Sequence, residues 1–121
     1  MNNIDDTICA LATGGSISAI AIIRISGKEA INITNKIFSK NLKNIQTHTI
    51  HFGTIKNKKE IIDEVIVSVF KKNKSYTGED VLEISCHGSI AVTDEILASL
   101  YQQGARPANA GEFTRRAFLN D

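Results

Sequence analysis

Two charged residues stand where apolar neighbours predict a buried strand. Arg24 lies between Ile23 and Ile25 in "IAIIRIS", and Glu83 lies between Leu82 and Ile84 in "EDVLEIS". A carboxylate buried there without a partner carries a heavy desolvation cost, so its presence requires a reason. On strict alternation Val81, Glu83 and Ser85 share one face and Leu82, Ile84 and Cys86 the other, so Glu83 sits on the wet face of a sheet in the simplest reading. The sharper reading is that Glu83 accepts two parallel hydrogen bonds from a flat donor edge, a guanidinium or an amino-heterocycle such as a pterin. Arg24 has two readings as well: it snorkels at a sheet edge, the safer default, or it meets an anion.

Other residues of suggestive type do not assemble into chemistry. Cys86 and His87 are adjacent on a strand and so point to opposite faces, which speaks against a Cys/His nucleophile pair, and no further ligands stand at metal-site spacing. His48 and His51 read as structural or solvated. "TGGSIS" lacks both the GxxxxGK[ST] frame and the Lys that phosphoryl chemistry needs, so these residues hold no nucleoside triphosphate site of their own. Arg115 and Arg116 read as a solvated basic helix face.

The elements that position these residues follow from pattern. "TICAL" and "IAIIRIS" are short β-branched runs joined by a Gly/Ser-rich turn. "KEAINITNKIF", after Gly27, places Ala30, Ile33, Ile37 and Phe38 near helical spacing. "THTIHFGTIK" and "IIDEVIVSVFKK" read as a hairpin about "NKKE", the second with Val65, Val67 and Val69 alternating against Ile66, Ser68 and Phe70. After "EDVLEIS", Ser89 caps a helix lined by Val92, Ile96, Leu97 and Leu100, and Gly104 ends it. "ARPA" is extended because Arg106 precedes Pro107, and "GEFTRRAFLND" closes with Phe113, Ala117 and Phe118 on one helical side. Two main helices among so many strands predict an α+β fold, a two-layer sandwich with a mixed β-sheet, rather than a doubly wound one. Helices cover one sheet face. Apolar residues on both sides of "IAIIRIS" and "VIVSVF" make water a poor occupant of the other, which suggests a ligand or a second subunit.

Composition sets the class. A chain of 121 residues, with 42% hydrophobic and 22% charged residues, fits one globular domain, residues 1–121. Lys plus Arg total 14 against 13 Asp plus Glu, so no global charge draws the chain to nucleic acid. Cys9 and Cys86, far apart and outside any CxxC motif, read as reduced thiols. The first six residues include Asp5 and Asp6 and no basic segment, so no secretory signal is read and a cytoplasmic location, with no membrane, is expected.

"DTICALAT", "IAIIRISG", "SYTGEDVLEISCHG" and "QQGARPANAGEFTRRAFLND", in that order and spacing, resemble the N-terminal domain of the bacterial tRNA modification GTPases of the MnmE (TrmE) family. The resemblance spans essentially the whole chain. Its specific parts are "YTGEDVLE", "HG" and "GEFTRRAFLN", runs of unlike residues that no strand or helix period generates. It implies a fold similar to the folate domain of the glycine-cleavage aminomethyltransferase, homodimerisation, and binding of 5-formyltetrahydrofolate. In the family this domain is followed by a helical domain and an inserted Ras-like G domain, where GTP, Mg and K bind; neither stands in these 121 residues, which carry no catalytic site by themselves. The family works with the flavoprotein MnmG on the wobble uridine of tRNA, installing an aminomethyl-type group. Its folate-contacting Arg falls on Arg24 and its pterin-binding Glu on Glu83.

The sequence departs from the family pattern in three places, the least of them Ser89, a helix cap where the family often has Gly. A further family contact, a Lys just after "FLN", falls beyond Asp121. The family's Pro-Pro, Gly/Arg-rich loop is replaced by "GGSISA", Gly14 to Ala19, which bears on ligand affinity and dimer geometry. Two alternatives accompany this reading: a dimer scaffold that no longer binds folate, and a fragment of a folate-dependent aminomethyltransferase.

Overall fold

A computed structural model describes residues 6–13, 19–72 and 75–120. Residues Gly14 to Ser18 of the loop that departs from the family pattern lie outside the described residues. Six strands form one sheet, β1 (Ile8–Leu11), β2 (Ile20–Ser26), β3 (Thr49–Asn57), β4 (Glu60–Phe70), β5 (Val81–His87) and β6 (Arg106–Pro107), in the order β3-β4-β5-β2-β1-β6. Neighbours are antiparallel except β1 and β6, which run parallel, so the sheet is mixed and the fold α+β. Among the described residues three helices complete it: α1 (Ala30–Asn35), α2 (Ile90–Gln102) and α3 (Glu112–Leu119). No helix among the described residues is long and apolar enough to cross a membrane.

Period-two alternation decides which side of the sheet is the core. Ile23 and Ile25 of β2, Val65, Val67 and Val69 of β4, and Leu82 and Ile84 of β5 are all buried on one face. They pack with Ile33 of α1 and with Ile96 and Leu100 of α2. Burying such aliphatic side chains contributes about 1.5–3 kcal/mol each, which makes this face the main source of stability. Cys9 and Cys86 are free thiols inside the same core. Ser89 caps α2, its side chain accepting from the Val92 N–H at 3.2 Å, and Gly104 at φ +114 follows the helix end.

Two expectations change. The first helix is shorter than its apolar spacing suggests: it ends at Asn35, whose Oδ1 accepts from the Leu42 N–H at 2.7 Å. Ile37 and Phe38 still reach the core, now from the turn that follows the helix, where the N–H groups of both bond the Thr34 carbonyl and Phe38 bridges Ile55. The second change concerns the last helix. α3 buries Glu112 and Arg116, while Phe118 is 80% exposed, so neither the apolar stripe Phe113/Ala117/Phe118 nor a solvated Arg116 describes it. Apolar periodicity could not find this face because charged residues form it.

Candidate functional site

β2 and β5 are antiparallel neighbours, and their register sets Arg24 directly opposite Glu83. Both point away from the helix-covered core, because Ile23, Ile25, Leu82 and Ile84 occupy the other side. Arg24 Nε donates to Glu83 Oε2 at 2.9 Å and its terminal nitrogen NH2 lies 2.8 Å from the same oxygen. The two side chains are 27% and 23% exposed, which is burial enough to demand a partner and openness enough to admit one more. The residues singled out separately as candidate contacts are therefore each other's partners. Oε1 of Glu83 makes no hydrogen bond among the described residues, which leaves that oxygen as an acceptor.

Two aromatic side chains join them. The guanidinium carbon of Arg24 is 5.8 Å from the Tyr76 ring centre and 5.4 Å from that of Phe113, within cation–π range of both. Tyr76 belongs to the loop between β4 and β5, and Phe113 to the first turn of α3. Leu11, Ala12, Arg24, Tyr76, Gly111, Glu112, Phe113 and Thr114 line a cavity of about 330 Å³. Glu83 does not line that cavity itself but is paired with Arg24, which does. Sequence reasoning missed Tyr76 and Phe113, although both lie inside the unlike-residue runs "YTGED" and "GEFTRR" that no period accounts for.

The loop and α3 are held together by a buried polar network. Ser26 Oγ and Thr77 Oγ1 are 2.7 Å apart, and Ser26 Oγ donates to Glu79 Oε1 at 3.0 Å. Ser75 Oγ donates to the Glu79 carbonyl. Arg116 NH1 lies 3.1 Å from Glu79 Oε2 and donates to the Asp6 carbonyl at 2.6 Å, while its NH2 reaches Glu112 Oε2 at 3.4 Å. Glu112 in turn takes a bidentate pair from Arg106, NH1 to Oε1 at 2.9 Å and NH2 to Oε2 at 2.7 Å, and accepts from the Asn109 N–H. The Arg106 hydrogen bonds pull the Glu112 carboxyl down to about 2, against the opposing effect of burial. The phenol of Tyr76 meets Thr114 Oγ1 at 2.9 Å, and Asn120 Nδ2 donates to the Thr77 carbonyl at 3.1 Å. The two specific runs of the sequence are thus packed on one another.

The remaining candidates do not gather here. His87 projects from the open face and holds Asp63, Nδ1 to Oδ1 at 2.7 Å, whereas Cys86 is buried on the core side, so the two do not converge. His48 stacks edge-on against Phe70 and His51 bonds Thr49, both structural contacts. Among the described residues no group of three or more His, Cys, Asp or Glu is placed to hold a metal ion.

The family model described as GTP-binding protein TrmE N-terminus matches residues 7–121. The chain belongs to the TrmE N-terminal family. It is 53% identical over 121 residues to the tRNA modification GTPase MnmE of Cytophaga hutchinsonii, covering 99% of this chain and 26% of that protein. It is 54% identical over 116 residues to the protein of that name from Streptococcus thermophilus, covering 95% of this chain and 25% of the relative. The corresponding protein of Chlamydia caviae is 48% identical over 116 residues, covering 96% and 26%. This TrmE-type chain spans about a quarter of the length of the curated relatives it matches.

Proposed function

We propose that this chain is the N-terminal domain of a tRNA modification GTPase, that it binds 5-formyltetrahydrofolate at Arg24 and Glu83, and that it forms a homodimer. The observation that carries the folate reading is the Arg24–Glu83 pair set against Tyr76 and Phe113 at the mouth of a cavity. A reduced pterin offers a flat edge of N–H donors and an apolar face. Glu83 Oε1 is an acceptor without a partner among the described residues, and the two rings supply surfaces on which a flat ligand stacks. Arg24 keeps NH1 for ligand carbonyl or carboxylate oxygens while Nε and NH2 fix its plane on Glu83. The residues present therefore fit the ligand: Glu83 and Arg24 would hold it and Tyr76 and Phe113 would flank it. When bound, the folate supplies a one-carbon unit at the formyl oxidation level.

The homodimer is supported by the uncovered part of the sheet. Ile20, Ile50, Phe52 and Ile66, all on the Arg24 side, are 61%, 71%, 58% and 41% exposed, an apolar surface suited to a second copy. The relatives' names support a role in tRNA modification by a GTPase; a cytoplasmic location and a MnmG-type flavoprotein partner are part of the same proposal and rest on the sequence resemblance. GTP binding then belongs to the rest of such a protein, since these residues contain no GxxxxGK[ST] frame.

Calorimetric titration with 5-formyltetrahydrofolate, run beside Glu83→Ala and with mass checked by ultracentrifugation, tests both parts. Saturable binding that disappears in Glu83→Ala while the dimer persists supports the site. A well-folded dimer that takes up no folate overturns the ligand assignment and leaves the dimer-scaffold reading in its place.

A further inference from the structure

We propose that Arg116 is a positioning residue of the pocket: its grip on Glu79 joins the loop Ser75–Asp80 to α3, so that Tyr76 and Phe113 are both held against Arg24. The proposal rests on the folate reading only for its ligand; its structural content stands apart from it.

α3 has little apolar means of choosing its own rotation. Phe118 and Leu119 are 80% and 52% exposed, and the residues it buries are Glu112 and Arg116. These stand four apart, on one helical face, and each is met by an opposite charge from elsewhere: Glu112 by Arg106, Arg116 by Glu79. A helix docked by directed ion pairs has its rotation set by them. That rotation brings Phe113 and Thr114, the residues next to Glu112, to the cavity wall.

The loop is positioned from the same point. Tyr76 and Glu79 are separated by Thr77 and Gly78, and Thr77 is fully buried against Ser26. Arg116 holds Glu79, Thr114 holds the Tyr76 hydroxyl, and the helical turn between positions 112 and 116 closes the circuit. Arg116 is 1% exposed, and burying a guanidinium is a poor way to gain stability, because a well-packed apolar side chain of like volume is often as good or better. Fixing one geometry is what an ion network does that an apolar residue does not. Apart from the Arg116–Glu79 pair, the described bonds between the loop and α3 are neutral ones, the exposed Tyr76–Thr114 contact and Asn120 Nδ2 on the Thr77 carbonyl, each weaker than a charge-assisted pair.

The test is the double variant Glu79→Gln with Arg116→Met, which removes the ion pair without leaving a lone buried charge, studied beside Arg116→Lys. Two quantities are read: the NMR resonance of the Arg24 Nε–H, which senses the Tyr76 and Phe113 ring currents without any ligand, and the dissociation constant for 5-formyltetrahydrofolate. Expected are a double variant that melts close to the parent, a displaced or broadened Arg24 Nε–H signal, and affinity weakened roughly tenfold, within the range of coupling through shared networks. Arg116→Lys, able to keep one of the charged contacts, should recover part of both. A folded double variant with the Arg24 resonance and the affinity unchanged overturns the proposal. If the parent chain binds no folate, the ligand reading fails, and the Arg24 resonance still decides whether Arg116 positions the two rings.

Discussion

Gly78 and Asn120 are in direct contact: a β-carbon built on Gly78 would stand 2.7 Å from the Asn120 β-carbon. Asn120 meanwhile bonds the Thr77 carbonyl at 3.1 Å and the Arg116 carbonyl at 3.0 Å, so the end of α3 lies flush on the loop that carries Tyr76.

Gly78 also has φ +81, in the region that only glycine enters without strain. Gly78→Ala therefore meets two obstacles at once, a backbone strain of about 1–3 kcal/mol and a clash with a β-carbon that cannot swing away. Thermal denaturation should show a midpoint several degrees lower, with folate affinity reduced in step because Tyr76 moves with the loop. An unchanged midpoint would mean that the loop and α3 are not packed as described.

Acid should loosen the α3 clasp, and the sign follows from Glu112. Its folded carboxyl is held at about 2, below the ordinary 4.5, chiefly by the Arg106 hydrogen bonds. A depressed carboxylate contributes stability that is complete above the unfolded value and is lost as pH falls from 4.5 towards 2. The parent should lose stability through that window more steeply than Glu112→Gln, in which no charge remains to be protonated. Melting curves recorded across the window check this, and parallel curves for the two proteins would remove Glu112 from the account.

How much of this was legible beforehand depends on what each residue's role rests on. The alternation of Val65, Val67 and Val69, and of Ile23 and Ile25 about Arg24, is a local signal that places those strands and their core face correctly. The partnership of Arg24 with Glu83 is not local. It arises from the register of β2 on β5, which neither segment encodes alone, so each residue could be read as waiting for a ligand when it already had a neighbour. α3 failed for a different reason: a helix docked through Glu112 and Arg116 inverts the rule that the apolar side faces inward. The end of α1 at Asn35 was likewise hidden, since Ile37 and Phe38 keep helical spacing and are buried from the turn that follows it, with Phe38 bridging Ile55.

The two cysteines should be slow to react. Burial pushes the Cys9 thiol up to about 12, and burial together with the nearby Asp63 charge pushes Cys86 up to about 11. The thiolate is the reactive form, so labelling of the native chain with a disulfide reagent should run roughly a hundredfold or more slower than in denaturant, limited by local opening. Fast labelling of either residue in the native chain would contradict its place in the core.

The open face of the sheet supplies the last prediction. Phe52 faces Ile66 across β3 and β4, and Ile66 is followed in the same row by Ser85 of β5 and Ile22 of β2. A cavity of about 440 Å³ opens there between Ile20, Phe52, Ile66 and His87. Within one chain these side chains are solvated, so Phe52→Glu should leave the fold's own stability nearly unchanged, as surface substitutions usually do. In a two-fold dimer built on this face the same substitution enters twice and buries two carboxylates in apolar surroundings, at a cost of several kcal/mol. Sedimentation should then show the parent at dimer mass and Phe52→Glu at monomer mass, with matching circular dichroism. A Phe52→Glu protein that still sediments as a dimer would move the interface off this face, and the exposed row of Ile50, Phe52 and Ile66 would need another occupant.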